Sequence, residues 1–203
     1  MDVVSSDSVA LDWLIASKLP WGQLVQFGPE GFETYARLRF LRDPILPGEH
    51  ETDVEDGVDD AAPNDLIDRA VAVLSHHTAT PKECYFGLWD GWPGTLEALT
   101  TLSGSPIKNT NSALWIPTRS PERQYFVLSG SIEEYLRRAP VLDSGSLQLS
   151  LIWPKDHTWC ISNDVDPHYA GIGGSRAAME TLFRCGNLDV VPADPTQGQP
   201  EFS

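Results

Sequence analysis

Cysteine is scarce in this sequence. There are three in 203 residues, Cys84, Cys160 and Cys185, and no two lie close together. An odd, scattered set argues against a disulfide framework, and the paired-thiol spacing of a zinc site is missing as well. Such thiols suit a reducing compartment. Long apolar runs are also missing. No stretch approaches the roughly 18 apolar residues of a membrane span. The first residues have neither the basic start nor the apolar core of a signal peptide. The expected location is therefore the cytoplasm. Positive charge is in short supply too, with 14 Lys and Arg against 29 Asp and Glu, a formal net charge of −15. Phosphate binding needs clustered Lys and Arg, so a nucleic-acid partner is not expected.

What is present is ordinary globular material, 41% hydrophobic and 21% charged. A chain of this length buries roughly 70% of the surface its unfolded form exposes and needs no staple to fold. The acidity is uneven. From Asp43 to Asp68 there are ten acids and no Lys or Arg. Taking those ten from the 29 acids leaves 19 against 14 basic residues, so two-thirds of the net charge sits in this stretch. The expectation is one globular domain over residues 1–192, with an acidic solvated loop at 43–63 and a polar, Pro-rich flexible tail over 193–203.

Periodicity places the elements. A helix is expected from about Ser8 to Lys18, stopped by Pro20. In residues 34–41, Tyr35, Arg37 and Arg39 alternate with Ala36, Leu38 and Phe40, the period of a half-buried strand. Leu66, Ile67, Ala70, Val71 and Leu74 make one helical face behind a cap at Asn64. Residues 84–89 read as an aromatic strand. A long loop over 91–121 holds one short helix near Leu96–Leu102. A strand over Gln124–Ser129 precedes a helix opened by the capping box Ser131 with Glu134. Leu147–Trp153 and Thr158–Asn163 form a hairpin across residues 154–157. A last helix runs from about Ser175 to Arg184, with Gly186 as its stop, and Leu188–Val191 is an edge strand. There is no regular strand–helix–strand alternation. The expected fold is α+β, a mainly antiparallel sheet with helices packed on one face.

Several stretches taken together carry a resemblance. They are PheGlyProGluGlyPhe at 27–32, GluCysTyrPheGlyLeuTrpAspGly at 83–91, TrpProLysAspHisThrTrpCys at 153–160 and AspValAspProHisTyrAlaGlyIleGlyGly at 164–174. In combination they resemble a group of uncharacterised actinobacterial proteins of about this length. The Trp-rich strands, the Asp-x-Asp stretch, the Gly-Gly turn and the final helix are also similar to SUKH-type immunity proteins. That second resemblance implies a cytosolic domain that binds and neutralises a toxin. Neither resemblance transfers a site residue by residue.

Four constellations bear on chemistry. Asp164, Asp166 and His168 stand at alternate positions after a strand and would project to one side if the chain stays extended. Their oxygens and imidazole suit a metal ion, and Asp156 or His157 of the hairpin would add ligands. The plainer reading is a strand-end turn. The glycines at 171, 173 and 174 before Ser175 open a helix whose N–H groups suit an anion, or they only make a turn. His76-His77 with Cys84 lacks any nucleophile signature. Finally, Trp89, Trp92, Trp115, Trp153 and Trp159 lie at strand ends and loop tips, where an indole either lids the core or meets a partner.

Two functions follow. The first is a non-enzymatic, immunity-like binding domain without a cofactor. It would use Trp92, Trp115 and Trp153 with Asp90, Asp164, Asp166 and His168 against a basic protein. The alternative is a small-ligand or metal-dependent enzyme with its site at Asp164, Asp166 and His168.

Overall fold

A computed structural model of the chain describes residues 1–3, 11–54, 61–104, 124–138 and 149–203. The expected class holds: the fold is α+β around one antiparallel sheet. Its strands are β1 (Asp2–Val3), β2 (Thr34–Arg39), β3 (Cys84–Trp89), β4 (Tyr125–Gly130), β5 (Leu151–Pro154), β6 (Trp159–Ser162), β7 (Tyr169–Gly174) and β8 (Val190–Ala193). The order across the sheet is β1-β4-β3-β5-β6-β7-β2-β8, and every pair is antiparallel. β1 contributes only two residues, at one edge.

Alternation along the strands gives the sheet two apolar faces. Cys84, Phe86 and Leu88 point to one side with Ala36, Leu38, Phe126, Leu128, Ile161 and Ile172. Four helices cover that face: α3 (Pro63–Leu74), α4 (Thr95–Ser103), α5 (Ile132–Arg138) and α6 (Arg176–Phe183). They bury the stripes that periodicity marks out, Leu66, Ile67, Ala70, Val71 and Leu74 on α3 and Ala178, Met179 and Leu182 on α6. The main helical layer thus lies on one face, as expected. The other face has a cover of its own. Tyr125, Val127, Leu151, Trp153 and Cys160 pack with Leu14 of α1 (Asp12–Ile15) and Leu24 of α2 (Trp21–Phe27).

Local signals explain several boundaries. Pro63 opens α3 at its first turn, where its missing N–H costs nothing. Ser131 Oγ accepts from Glu134 N at 3.0 Å. Ser175 Oγ accepts from Ala178 N and caps α6. The hairpin forms as expected, β5 pairing with β6.

Three elements went unread in the sequence, β1, α2 and β7. The last two owe their form to each other. β7 carries three glycines, a composition that reads as a turn. A Cβ at Gly171 would lie 1.9 Å from the carbonyl oxygen of Gln26, and one at Gly173 would lie 2.3 Å from the Phe32 ring. Glycine there lets α2 and the chain after it lie directly on the strand. The anion reading of this turn gives way accordingly. All three glycines are strand residues, and the exposed first turn of α6 is taken by Glu33, whose Oε2 accepts from Arg176 N at 2.9 Å.

The C-terminal residues return to the body of the domain. Ser203 N donates to the carbonyl of Glu49 at 2.9 Å, and the Phe202 ring stands edge-on to His168 at 4.8 Å. Within the acidic segment, Asp43 and Glu49 pair with arginines. Residues 55–60 lie outside the described residues. Among the described residues no helix is long and apolar enough to cross a membrane.

Candidate functional site

A connected polar group grows from the end of β2. Arg37 and Arg39 lie on the same side of that strand by alternation, so two cations arrive together. The chain then turns, and Asp43 meets both. Arg37 Nη1 and Nη2 donate to its two carboxylate oxygens at 2.6 and 3.0 Å, and Arg39 Nη1 donates at 3.1 Å. Arg39 Nη2 also reaches Asp189 at 2.9 Å, just before β8. The Arg37 guanidinium lies 5.1 Å from the centre of the Tyr169 ring, a cation–π contact. The Tyr169 hydroxyl donates to Gln26 Oε1 at 3.2 Å, and burial pushes it up to about 12.

His168 joins this network from the turn before β7. Its side chain is almost fully enclosed, and Nε2 lies 3.1 Å from Asp43 Oδ1. An ionised carboxylate only accepts, so Nε2 carries the proton. Burial alone would raise the Asp43 carboxyl. The hydrogen bonds from Arg37 and His168 and the charges of Arg37 and Arg39 outweigh it, and hold the group well below the usual carboxylate range.

Asp164, Asp166 and His168, the residues of the metal reading, are disposed separately. The turn is bent at Val165, Asp166 and His168 rather than extended, so strand alternation does not govern its side chains. Asp164 Oδ1 accepts from Val165 N at 2.9 Å, Asp166 faces solvent, and His168 turns inward to Asp43. Among the described residues no group of three or more His, Cys, Asp or Glu is placed to hold a metal ion. Asp156 and His157 are occupied elsewhere. Asp156 accepts from Thr78, Ala79 and Thr158, and the His157 ring stacks on Trp13 at 4.2 Å.

Above the network lies a cavity of about 480 Å³. Its walls include His50, Glu51, Asp166, His168, Glu201 and Phe202, and no Lys or Arg. Glu51, Asp166 and Glu201 are all exposed. His50 Nδ1 sits 2.6 Å from the carbonyl of Ser203, so the 50–52 wall and the C-terminal wall are joined. The site therefore combines three exposed carboxylates with the Phe202 ring and the imidazoles of His50 and His168.

The expected aromatic surface is only partly assembled. Trp153 is fully buried and stacks on Tyr85 at 5.4 Å, so it belongs to the second core and not to a binding face. Trp159 is fully buried as well. Trp92 is half-buried, edge-on to Trp89 at 5.7 Å, and Asp90 beside it is exposed. Trp115 lies outside the described residues. Strand directions put the 90–92 loop and the 163–168 turn at the same end of the sheet, with β5 and β6 between β3 and β7. Cys84 offers no nucleophile for His76 and His77. Its thiol is buried and pushed up to about 12 by burial.

No family model, no curated protein and no solved structure matches this chain.

Sequence reasoning missed Arg37, Asp43, His50, Glu51, Glu201 and Phe202. For the first two a signal was available. Two arginines on one strand face require a nearby acid, and Asp43 stands four residues past Arg39. Nothing local marks His50 or Glu201, which become neighbours only through the return of the C-terminal segment.

Proposed function

We propose that this protein is a non-enzymatic binding domain for a basic protein, and that the acid-walled cavity at the end of β2 and β7 receives a cationic side chain of the partner. The carrying observation is the cavity itself, about 480 Å³ with Glu51, Asp166 and Glu201 in its walls and no Lys or Arg among the lining residues. A guanidinium or ammonium entering it would meet exposed carboxylates with the Phe202 ring beside them. The net charge of −15 would raise the encounter rate with a positively charged protein. Asp90 and Trp92, at the same end of the sheet, would extend the surface. Burial of the Cys84 and Cys160 thiols and the engagement of His168 by Asp43 favour binding over covalent catalysis. The likeness to SUKH-type immunity proteins makes a toxin domain the first partner class to try.

The direct test is calorimetric titration with a hexa-arginine peptide at low and high salt, with hexa-aspartate as control. Saturable binding should weaken as salt rises and fall at least about tenfold in the Glu51→Gln/Asp166→Asn/Glu201→Gln protein. Equal binding by the triple variant, or none by the wild type, would remove this reading.

A further inference from the structure

The loop leading into the cavity wall presents two large apolar side chains to water. Ile45 is 72% exposed and Leu46 65%, while the next most exposed large hydrophobic among the described residues is Leu96 at 49%. Scattered apolar residues on a surface are normal. Two adjacent ones at the tip of a held loop are different, because their exposure is enforced by the backbone.

Glu49 does the holding. Its carboxylate accepts from Ile45 N at 2.7 Å and from Leu46 N at 3.4 Å, and pairs with the Arg42 guanidinium. Arg42 Nη1 also donates to the Asp43 carbonyl at 3.0 Å, and Glu49 N returns to the Leu46 carbonyl at 3.2 Å. Pro44 and Pro47 flank the pair, and Gly48 turns the chain at φ +82°. The side chain of Glu49 is itself nearly enclosed. The tip is thus fixed before any partner arrives, and little ordering entropy remains to be lost on docking.

The geometry points to a knob: Ile45 and Leu46 insert into an apolar socket of the basic partner, and Lys and Arg at the rim of that socket face Glu51, Asp166 and Glu201. This inference rests on the cation-cavity reading above, since the chain passes from the clamp directly into His50, Glu51 and Thr52 of the cavity wall. Charge complementarity decides the occupant. A second copy of this chain would bring another −15 and the same acids to the contact, so self-association is opposed. A socket with a basic rim satisfies the apolar pair and the carboxylates together, the arrangement of a buried anchor inside a polar rim.

The test is site-specific photocrosslinking of the full chain in its native host, with p-benzoylphenylalanine in place of Leu46, and in place of Leu96 on α4 as control. The captured protein, identified by mass spectrometry and produced pure, is then titrated against wild type, Ile45→Ser/Leu46→Ser and the triple variant at Glu51, Asp166 and Glu201. The expected result is one discrete adduct from position 46 and none from 96. The attached peptide should carry Lys or Arg, and affinity should fall at least about 30-fold in the Ser pair at unchanged thermal stability. No adduct, an adduct of two copies of this chain, an acidic partner, or full affinity in the Ser pair would each overturn the knob. The two readings separate cleanly. Binding lost only in the triple variant leaves the cavity and removes the knob, whereas full binding by the triple variant removes the cavity reading and the basic-rimmed socket with it.

Discussion

Nε2 of His168 lies 3.1 Å from Oδ1 of Asp43, across 125 positions of the chain. That contact closes a network in which one carboxylate answers two arginines and an imidazole. The Arg37 side chain is 7% exposed, and Asp43 is the counter-charge that the structure sets against it. Asp43→Asn should therefore cost about 3 kcal/mol, chiefly from the guanidinium left without a counter-charge. Urea unfolding at neutral pH measures it. The carboxyl is held below its ordinary value of 3.8 in the folded protein. Its stabilisation is complete above that value and is lost as the pH falls through the lower folded value. Between about pH 4 and pH 2 the wild-type midpoint should drop more steeply than that of the Asn variant.

Asp68 should behave in the opposite sense. It sits on α3, and the Tyr135 hydroxyl of α5 donates to its Oδ1 at 2.5 Å. Burial is the largest influence and pushes the carboxyl up to about 6, against the lowering effect of the Tyr135 hydrogen bond and with help from Asp65. A raised carboxyl means that the folded protein binds the proton more tightly than the unfolded chain. The stabilisation is fully present below 3.8 and is lost as the pH rises through about 6. Asp68→Asn keeps an acceptor for Tyr135 without the charge. It should gain about 2 kcal/mol at pH 8 and nothing near pH 4, as read by thermal unfolding at the two pH values.

The glycines of β7 give a packing prediction. Gly171→Ala would drive a methyl group into the Gln26 carbonyl, a backbone atom that can yield only if α2 moves away from the sheet. A loss of about 3 kcal/mol or more is expected. Gly173→Ala meets the Phe32 ring instead, which can rotate, so its cost should be smaller. Gly186, with nothing within 4 Å of an added Cβ, is the control and should tolerate Ala within about 0.5 kcal/mol. Urea midpoints of the three variants rank them.

Particular residues show where the sequence was legible. Leu66 to Leu74 wrote α3 in their spacing, Ser131 and Glu134 wrote the start of α5, and the alternation through Arg39 wrote β2. Trp153 misled because an indole before a proline at a strand end looks the same whether its outer side is open or covered. Trp13 of the four-residue α1 stands over it, ring centres 6.2 Å apart, and the spacing within a helix does not say which strand that helix will lie on. Asp164, Asp166 and His168 misled because alternation predicts a shared direction only while the backbone stays extended, and the backbone bends there.

The pattern of neighbours in the chain determined the antiparallel α+β class, most element positions, the hairpin and the excess of acid. Periodicity, capping and composition act within a turn or two of each residue and need no distant partner. Which tryptophans are hidden, which acids are spent on arginines and which remain at a cavity mouth was decided only by the tertiary structure. Burial and ion pairing depend on who arrives from elsewhere, as Asp43 does for His168 and Gln26 for Gly171.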